Sequence, residues 1–210
     1  MPHETSHETM LDESFARDYL VKLADLLPRL DVARIAQAIG WLRDARDAGR
    51  TIFACGNGGS GAIASELVGE LVKFCSVGRP RRFRAICLSD NVSALTACAN
   101  DEGYEQVFAE PLRNFAQRGD LLIAISGSGN SRNVLTAVET AKELGVRTIA
   151  LTNGEGGRLR EIADLPLLVP ASHMGRLEDC FFITTHILCY AFVDGPPDRR
   201  PTIPAAPSEE

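Results

Sequence analysis

The sequence predicts an α/β protein in which helices cover both faces of a parallel β-sheet and two further helices precede the sheet. Mostly apolar segments of about five or six residues alternate with longer amphipathic segments, which is the pattern of buried parallel strands and their connecting helices. Glycine- and serine-rich loops follow two of the apolar segments, as expected where strands of such a sheet pass into helices.

Each element is predicted from local periodicity and boundary residues. Apolar side chains recur at helical spacing over 11–27, and a second amphipathic helix runs from Asp31, a suitable N-cap, to about residue 48, before Gly49. Strands are predicted at 51–55, 84–88, 120–125, 147–152 and 165–169. The other helices are predicted at 60–74, 91–99, 104–116, 130–144 and 175–193, with a polar turn at 100–103.

The domain organisation follows from where this pattern stops. One domain is predicted over residues 11–194. The first ten residues are polar, and residues 195–210 are rich in proline and poor in large apolar side chains, so 1–10 and 195–210 are predicted to be disordered.

Composition limits the possible partners. The chain has 210 residues, 45% of them hydrophobic and 24% charged, as in a soluble globular domain. With a net charge of −6 and no long basic cluster, nucleic acid is not expected as the main partner. No apolar run is long enough to span a membrane, and the polar start does not resemble a secretion signal. The six cysteines show no CxxC spacing, which predicts reduced thiols in a cytoplasmic protein.

Two polar loops are the candidate ligand-binding segments. Residues 56–60 (GNGGS) follow the first strand and residues 126–131 (SGSGNS) follow the third, at the edge where open α/β sheets bind ligands. Glycines let backbone N–H groups approach an anion, a helix N-terminus adds its positive dipole end, and Ser126, Ser128 and Ser131 add hydroxyl donors. Together these groups predict a phosphate site, with an ordinary turn and N-cap as the alternative for 126–131. Because no GxxxxGKS/T motif occurs, a nucleoside triphosphate site is not indicated.

Several motifs in the same order resemble a known family. CGNGGS at 55–60, AND with GY after it at 99–104, and ISGSGNS at 125–131 resemble the sugar isomerase (SIS) domain proteins and, within them, the phosphoheptose isomerases. The resemblance continues through IALTNGEGG at 149–157 and RLEDCFFITTHIL at 176–188, so it covers about residues 11–193. It implies a three-layer α/β/α domain, usually a homotetramer whose active sites are shared between subunits.

The resemblance also implies roles for the loop residues. It assigns the sugar phosphate to Ser126, Gly127, Ser128 and Ser131. It assigns the rest of the substrate to Asn57, Gly58, Gly59, Ser60, Asn100, Asp101 and Glu178. The family commonly has threonine at the position of Gly127, so this chain lacks one hydroxyl donor there but keeps the backbone N–H.

At two of four positions that matter for metal binding, this chain differs from the family. In the family, the helix after the first loop carries His and Glu four residues apart, and the last helix carries Gln and His eight residues apart. The four side chains bind zinc, and the Glu and the second His transfer protons. This chain has Glu66 and Glu178 in place of the first His and the Gln, and it keeps Glu70 and His186. The resemblance thus implies Glu70 and His186 as catalytic residues and Glu66, Glu70, Glu178 and His186 as metal ligands.

Spacing by itself permits a common site, because residues four apart share a helix face and residues eight apart lie on one broad face. The alternatives are a solvated face for Glu66 and Glu70, an acidic helical turn for Glu178, and a core position for His186. The apolar neighbours of Glu66 and Glu70 indicate a mostly buried helix, where paired carboxylates need a cation or a shared proton. Three carboxylates and an imidazole suit zinc, and also manganese or iron(II).

The predicted function is aldose–ketose isomerisation of a sugar phosphate, namely sedoheptulose 7-phosphate to D-glycero-D-manno-heptose 7-phosphate through an enediol. Glu70 is expected to move a proton between neighbouring carbons and His186 to move one at the oxygens. One alternative is a SIS-fold binding or regulatory protein that acts through a protein partner, and another is an isomerase of a different phosphosugar. Retention of Glu70 and His186 favours an enzyme, whereas the changed metal positions favour the binding protein.

Overall fold

Five strands and eight α-helices alternate along residues 5–195, the part of the chain that this computed structural model describes. The helices are α1 (Thr5–Ala24), α2 (Val32–Asp47), α3 (Gly58–Val72), α4 (Val92–Asp101), α5 (Ala109–Phe115), α6 (Arg132–Glu143), α7 (Gly157–Ile162) and α8 (Met174–Tyr190). The strands are β1 (Thr51–Gly56), β2 (Arg84–Cys87), β3 (Leu121–Ile125), β4 (Arg147–Asn153) and β5 (Leu165–Val169). Of the segments predicted to be disordered, residues 1–4 and 196–210 lie outside the described residues, whereas residues 5–10 belong to α1, which corrects the prediction there.

The strands form one parallel sheet in the order β2-β1-β3-β4-β5. The chain leaves β1 toward β2 on one side and then returns to place β3 on the other side. This reversal of direction creates a crevice at the carboxyl ends of β1 and β3, which is where open α/β sheets bind ligands. Gly56 pairs with Ile125 at those ends, so the two polar loops begin side by side.

Two apolar clusters cover the faces of the sheet and make it the middle of three layers. Along β1, Ile52 and Ala54 face the cluster formed with α2, α3 and α8, whereas Phe53 and Cys55 face the cluster formed with α5, α6 and α7. This alternation follows from the two-residue period of a strand. The predicted α/β sandwich with preceding helices is confirmed.

The helix boundaries differ from the predicted ones at several points. Helix α1 begins at Thr5, six residues before the predicted start. The helix predicted at 104–116 is divided into a 3-10 turn, Tyr104–Gln106, and α5, because Pro111 lacks an N–H and fits best in the first turn of a helix. Helix α4 extends through Asp101 into the predicted polar turn, and α7 is a short helix that was not predicted.

The state of the cysteines and the length of the helices bear on the expectations from composition. All six cysteines are free, and five of them are buried. Burial raises the pKa of Cys87 to about 11, so this thiol stays protonated near neutral pH. Within residues 5–195, no helix combines the length and the apolar character needed to cross a membrane.

Candidate active site

The crevice between β1 and β3 brings the two polar loops together. Asn57, at the N-cap position of α3, lies opposite Asn133 in the first turn of α6. Their side-chain amides exchange two hydrogen bonds, from Asn57 Nδ2 to Asn133 Oδ1 at 2.9 Å and from Asn133 Nδ2 to Asn57 Oδ1 at 2.8 Å. The N-termini of α3 and α6 therefore face one space at the carboxyl edge of the sheet.

The second loop, 126–131, has the arrangement of an anion site. The Ser126 hydroxyl donates to the Ser131 hydroxyl at 3.1 Å, and the Asn130 N–H donates to the Ser128 hydroxyl at 3.1 Å. Ser131 occupies the N-cap position of α6 but makes no capping hydrogen bond with its side chain. Apart from the Val134 N–H, which donates to Asn133 Oδ1 at 3.0 Å, the first N–H groups of α6 thus remain available to a ligand, and an anion at a helix N-terminus is favoured.

The β4–α7 segment supports this loop from behind. The Asn130 amide donates to the Ser128 carbonyl at 3.1 Å and accepts from the Arg158 N–H at 3.0 Å. The Leu159 N–H donates to the Gly129 carbonyl at 2.9 Å. Gly129 has a φ of 68°, and a Cβ there would collide with the backbone of Gly156, so only glycine fits. These contacts give the short helix α7 a role in fixing the loop.

Gly127, where the family commonly has threonine, lies under the start of α8. A Cβ at this position would lie 3.1 Å from Met174 Sδ and 3.4 Å from Leu177 Cδ2. Met174 therefore fills the space beside Gly127, and a threonine would require this flexible side chain to move.

Glu178 lies at the first loop, 56–60. A Cβ on Gly59 would lie 2.8 Å from Glu178 Cδ, so the carboxylate packs directly on the glycine at the N-terminus of α3. A carboxylate is favoured at a helix N-terminus, but it repels a second anion. The first loop thus has a negative charge beside it, whereas the first turn of α6, after the loop 126–131, has no acidic residue.

The other predicted residues of the crevice differ in exposure. Gly58 is exposed, Ser60 is buried, and Asn100 and Asp101 are exposed at the end of α4. The Asn100 amide donates to Asp101 Oδ1 at 2.7 Å. Three residues beyond Asp101, the hydroxyl of Tyr104 donates to Asn57 Oδ1 at 2.9 Å, which brings this segment to the crevice.

A second group of candidate functional side chains lies farther along α3 and α8. Ligand atoms of Glu66, Glu70 and His186 all lie within 4.8 Å of one another. Glu70 is 7% exposed and its buried Oε2 has no hydrogen-bond partner, whereas Glu66 and His186 are exposed. An unpartnered buried carboxylate oxygen is costly, and a divalent cation would compensate it. Two carboxylates and one imidazole therefore fit such a cation.

Aromatic rings of α8 flank the imidazole of this group. The His186 ring centroid lies 6.3 Å from that of Phe182 and 6.0 Å from that of Tyr190, which stands edge-on to it. The negative charge of Glu70 is the main cause that raises the pKa of Tyr190. The Glu70 carboxylate therefore favours the protonated form of the Tyr190 hydroxyl, because it disfavours a second negative charge nearby.

Glu178 lies outside this group, so among the described residues of this chain the structure brings together three of the four predicted metal ligands. Eight residues of helix separate Glu178 from His186, a rise of about 12 Å, so the two share a face at different heights. Along α3, Glu70 lies about 18 Å from Gly58. The chain therefore carries the crevice with its two polar loops at one end of α3 and the carboxylate–imidazole group at the other end.

Sequence reasoning missed Asn133 and Tyr104, the two partners of Asn57. Asn133 lies two residues after a predicted phosphate residue, Ser131, and is 3% exposed. Tyr104 belongs to the GY motif that supported the family resemblance. The signal available in the sequence was the position of an asparagine in the first helical turn after a candidate ligand loop.

Comparison with known proteins gives the same family in sequence and in structure. The profile of the SIS domain matches residues 18–153. The chain is 37% identical over 182 residues to the phosphoheptose isomerase of Helicobacter pylori strain P12, covering 86% of this chain and 94% of that protein. It is 46% identical over 140 residues to the phosphoheptose isomerase of Nitratiruptor sp., covering 67% of this chain and 74% of that one.

Solved structures share the fold. The phosphoheptose isomerase of Neisseria gonorrhoeae is similar with a TM-score of 0.80 and 31% identity, covering 88% of this chain and 99% of that one. The sugar isomerase domain of an RpiR transcription factor from Sphaerobacter thermophilus is similar with a TM-score of 0.62 and 22% identity, covering 86% of this chain and 87% of that one. The second likeness extends to the fold alone.

Proposed function

This chain belongs to the phosphoheptose isomerase family of SIS domain proteins, and on that premise we propose that it interconverts sedoheptulose 7-phosphate and D-glycero-D-manno-heptose 7-phosphate. The observation that carries the proposal is the buried, unpartnered carboxylate of Glu70 beside His186 in a chain with this ancestry. Relatives at 37% identity or more are named isomerases, which favours the enzyme over a binding protein that acts through a partner.

The chemistry requires a base and a second proton carrier. Glu70 takes the proton from the carbon beside the carbonyl and returns it to the neighbouring carbon, through an enediol. Its buried Oε2 has no donor, so no hydrogen bond has to be broken before it accepts a proton. His186, with an exposed ring, carries a proton at the substrate oxygens.

We further propose that Glu66, Glu70 and His186 hold a divalent cation. Zinc is the ion of the family, and manganese or iron(II) also suits two carboxylates and an imidazole. When bound, such an ion supplies positive charge that stabilises a developing enediolate oxygen. Glu178, on this proposal, acts at the substrate side of the site and not as a ligand within the same protomer.

The substrate is placed by its phosphate. Ser126, Ser128, Ser131 and the backbone of Gly127 bind the phosphate, because this loop joins hydroxyl donors to a helix N-terminus free of carboxylates. Asn57, Gly58, Gly59, Ser60, Asn100, Asp101 and Glu178 are assigned to the sugar. A small phosphorylated molecule in the cytoplasm is the expected partner.

The assembly is proposed to be a homotetramer with shared sites. The distance of about 18 Å along α3 between Gly58 and Glu70 exceeds the length of an extended seven-carbon sugar phosphate. A substrate in the crevice of one protomer therefore needs the carboxylate–imidazole group of another. Mixing a Ser126→Ala, Ser128→Ala variant with a Glu70→Gln variant should restore part of the activity that each lacks alone, and no restoration after subunit exchange would contradict sharing.

The function is tested by measuring formation of heptose 7-phosphate from sedoheptulose 7-phosphate. The protein is assayed as purified, after treatment with a chelator, and after addition of Zn²⁺, Mn²⁺ or Fe²⁺. We expect activity that the chelator lowers and one of the ions restores. If the wild type isomerises no phosphosugar, the binding-protein alternative replaces the enzyme; activity on a different phosphosugar would keep the reaction class and change the substrate.

A further inference from the structure

The side-chain amide of Asn57 is held by two partners in a small network. Asn57 and Asn133 exchange two amide hydrogen bonds, and the Tyr104 hydroxyl donates to Asn57 Oδ1 at 2.9 Å. We call Asn57, Asn133 and Tyr104 the amide clamp. It joins the N-termini of α3 and α6 across the crevice, and Tyr104 adds the segment that follows α4.

The direction of each amide in the clamp is determined by one backbone group. The Val134 N–H donates to Asn133 Oδ1 at 3.0 Å. A backbone N–H can only donate, so the atom that receives it must be the oxygen of Asn133. The Asn57 atom that contacts this Asn133 oxygen must then be the amide nitrogen of Asn57. The other Asn57 atom, which contacts Asn133 Nδ2 and the Tyr104 hydroxyl, must be the amide oxygen of Asn57.

Once the direction is determined, the capacity of Asn57 can be counted. Its Oδ1 accepts two hydrogen bonds, one from Asn133 and one from Tyr104, which uses both lone pairs. Its Nδ2 carries two hydrogens, and one of them is donated to Asn133. The second N–H of Nδ2 is the one hydrogen-bonding group of this half-buried side chain that these bonds leave unused. Asn57 can therefore donate to a ligand but cannot accept from it.

We propose that Tyr104 and Asn133 are positioning residues that make Asn57 a dedicated donor to the carbonyl oxygen of the bound sugar. The inference rests on the proposed isomerase function. Sugar hydroxyls both donate and accept, whereas a carbonyl oxygen only accepts and gains negative charge as the enediolate forms. A donor oriented before the substrate arrives stabilises that charge without reorganisation. The phosphate has its own hydroxyl donors in the loop 126–131, which leaves the amide for the sugar.

The test is a double-mutant cycle on kcat with Tyr104→Phe and Asn57→Ala. Asn57→Ala should lower kcat by about 10²–10³-fold, as loss of an oxyanion donor does. Tyr104→Phe, which removes only the hydroxyl, should lower kcat by about tenfold, the change that one net hydrogen bond makes to an equilibrium. In the Asn57→Ala background, Tyr104→Phe should have no further effect, because it acts only through Asn57. An undiminished effect there would overturn the proposal.

Two further measurements separate positioning from general damage. Affinity for inorganic phosphate should stay unchanged in Tyr104→Phe, whereas a distorted loop would lower it. Thr96→Val is the matched control, because the Thr96 hydroxyl bonds only to carbonyls of its own helix, at 2.8 and 3.2 Å. This variant should keep both kcat and phosphate affinity. Loss of phosphate affinity in Tyr104→Phe would show a structural role and would overturn the proposal.

The proposal can fail separately from the isomerase function. The two side-chain amide protons of Asn57 give ¹⁵N–¹H signals that are assigned by their absence in Asn57→Ala. Tyr104→Phe should shift both signals, and Thr96→Val should shift neither. If the wild type lacks isomerase activity but the signals shift as expected, the clamp exists and the reaction is wrong. If the signals do not respond to Tyr104→Phe, the clamp is wrong whatever the activity.

Discussion

At Glu70, a carboxylate is buried without a donor for its Oε2, although Glu66 and His186 beside it are exposed. A structural carboxylate in such a place would accept hydrogen bonds, because an unsatisfied buried oxygen lowers stability. A role of this oxygen in taking a proton or binding a cation would explain why the protein tolerates this loss of stability. Glu70 and Glu66 should then respond differently to substitution.

Glu70→Gln should lower turnover by about 10²–10⁴-fold, because glutamine keeps the shape but cannot act as a base. Thermal unfolding should be little changed, since the amide fits the same space. The measurement is heptose 7-phosphate formation at saturating substrate, with Glu161→Gln, an exposed substitution on α7, as the control. Normal activity in Glu70→Gln would show that the base lies elsewhere.

Glu66→His should keep or raise the affinity for zinc, because imidazole is a good zinc ligand and the change restores the family's residue. Affinity is measured by calorimetric titration of protein previously stripped with a chelator. Glu66→Ala serves as the comparison and should bind the ion more weakly. If the wild type binds no divalent ion and works fully in chelator, the cation part of the site is wrong.

At the scale of elements, two loops with similar glycine content differ in the charge at the helix N-terminus that follows each of them. The loop before α6 joins hydroxyls to a free helix N-terminus, whereas the loop before α3 has the Glu178 carboxylate packed on Gly59. Because a carboxylate repels a second anion, we expect the loop before α6 to accept a phosphate and the loop before α3 not to. Each loop gives a separate prediction.

Ser126→Ala with Ser128→Ala should raise KM for the sugar phosphate and weaken binding of inorganic phosphate, with a smaller effect on kcat. The reason is that hydroxyl donors to the phosphate are lost while the proton-transfer group is untouched. Ser93→Ala, on exposed α4, is the control and should change neither constant. An unchanged KM in the double variant would contradict the phosphate placement.

Gly59→Ala should stabilise the protein less than an unhindered glycine-to-alanine change in a helix, because the new Cβ displaces the flexible end of the Glu178 side chain from the N-terminus of α3. Gly40→Ala, in α2, is the matched control, since nothing lies within 4 Å of a Cβ at that position. It should stabilise the protein by about 0.5–1 kcal/mol, as replacement of a helical glycine does. Both changes are measured by urea unfolding, and equal stability of the two variants would contradict the packing of Glu178 on Gly59.

At the scale of the whole molecule, helix α1 presents more apolar surface than one protomer uses. Tyr19 is tied to α8 by a hydrogen bond from its hydroxyl to Asp179 Oδ2 at 2.6 Å, and Leu23 packs on the core. Phe15 and Leu20, in contrast, are 69% and 64% exposed. Such a face is expected between subunits.

The wild type should sediment well above its protomer mass of 22.7 kDa. Phe15→Asp with Leu20→Asp should shift it to smaller species and lower isomerase activity, while circular dichroism shows unchanged helix content. Val32→Asp changes an equally exposed apolar residue outside α1, 74% exposed, and should keep the assembly. A wild type that is monomeric at micromolar concentration would contradict both the tetramer and the shared site.

The sequence by itself determined the layered α/β fold and the position of both ligand loops. Apolar five-residue segments such as Leu121–Ile125 can be buried on both faces only in a covered parallel sheet, and glycines at strand ends mark the turns into helices. It also supplied Glu66, Glu70 and His186 as a set, because positions four apart share a helix face and the family motifs pointed to the rest.

Only the tertiary structure decided which of the candidate side chains meet. Glu178 and His186 share a face of α8, but packing of α8 on α3 places one at Gly59 and the other at Glu70. The clamp of Asn57 likewise joins residues from three separate segments, which no local pattern connects. The periodicity of a sequence predicts which face of a helix a residue lies on. Its position along the neighbouring helix depends on how the two helices pack, and this packing is determined by contacts between residues distant in the chain.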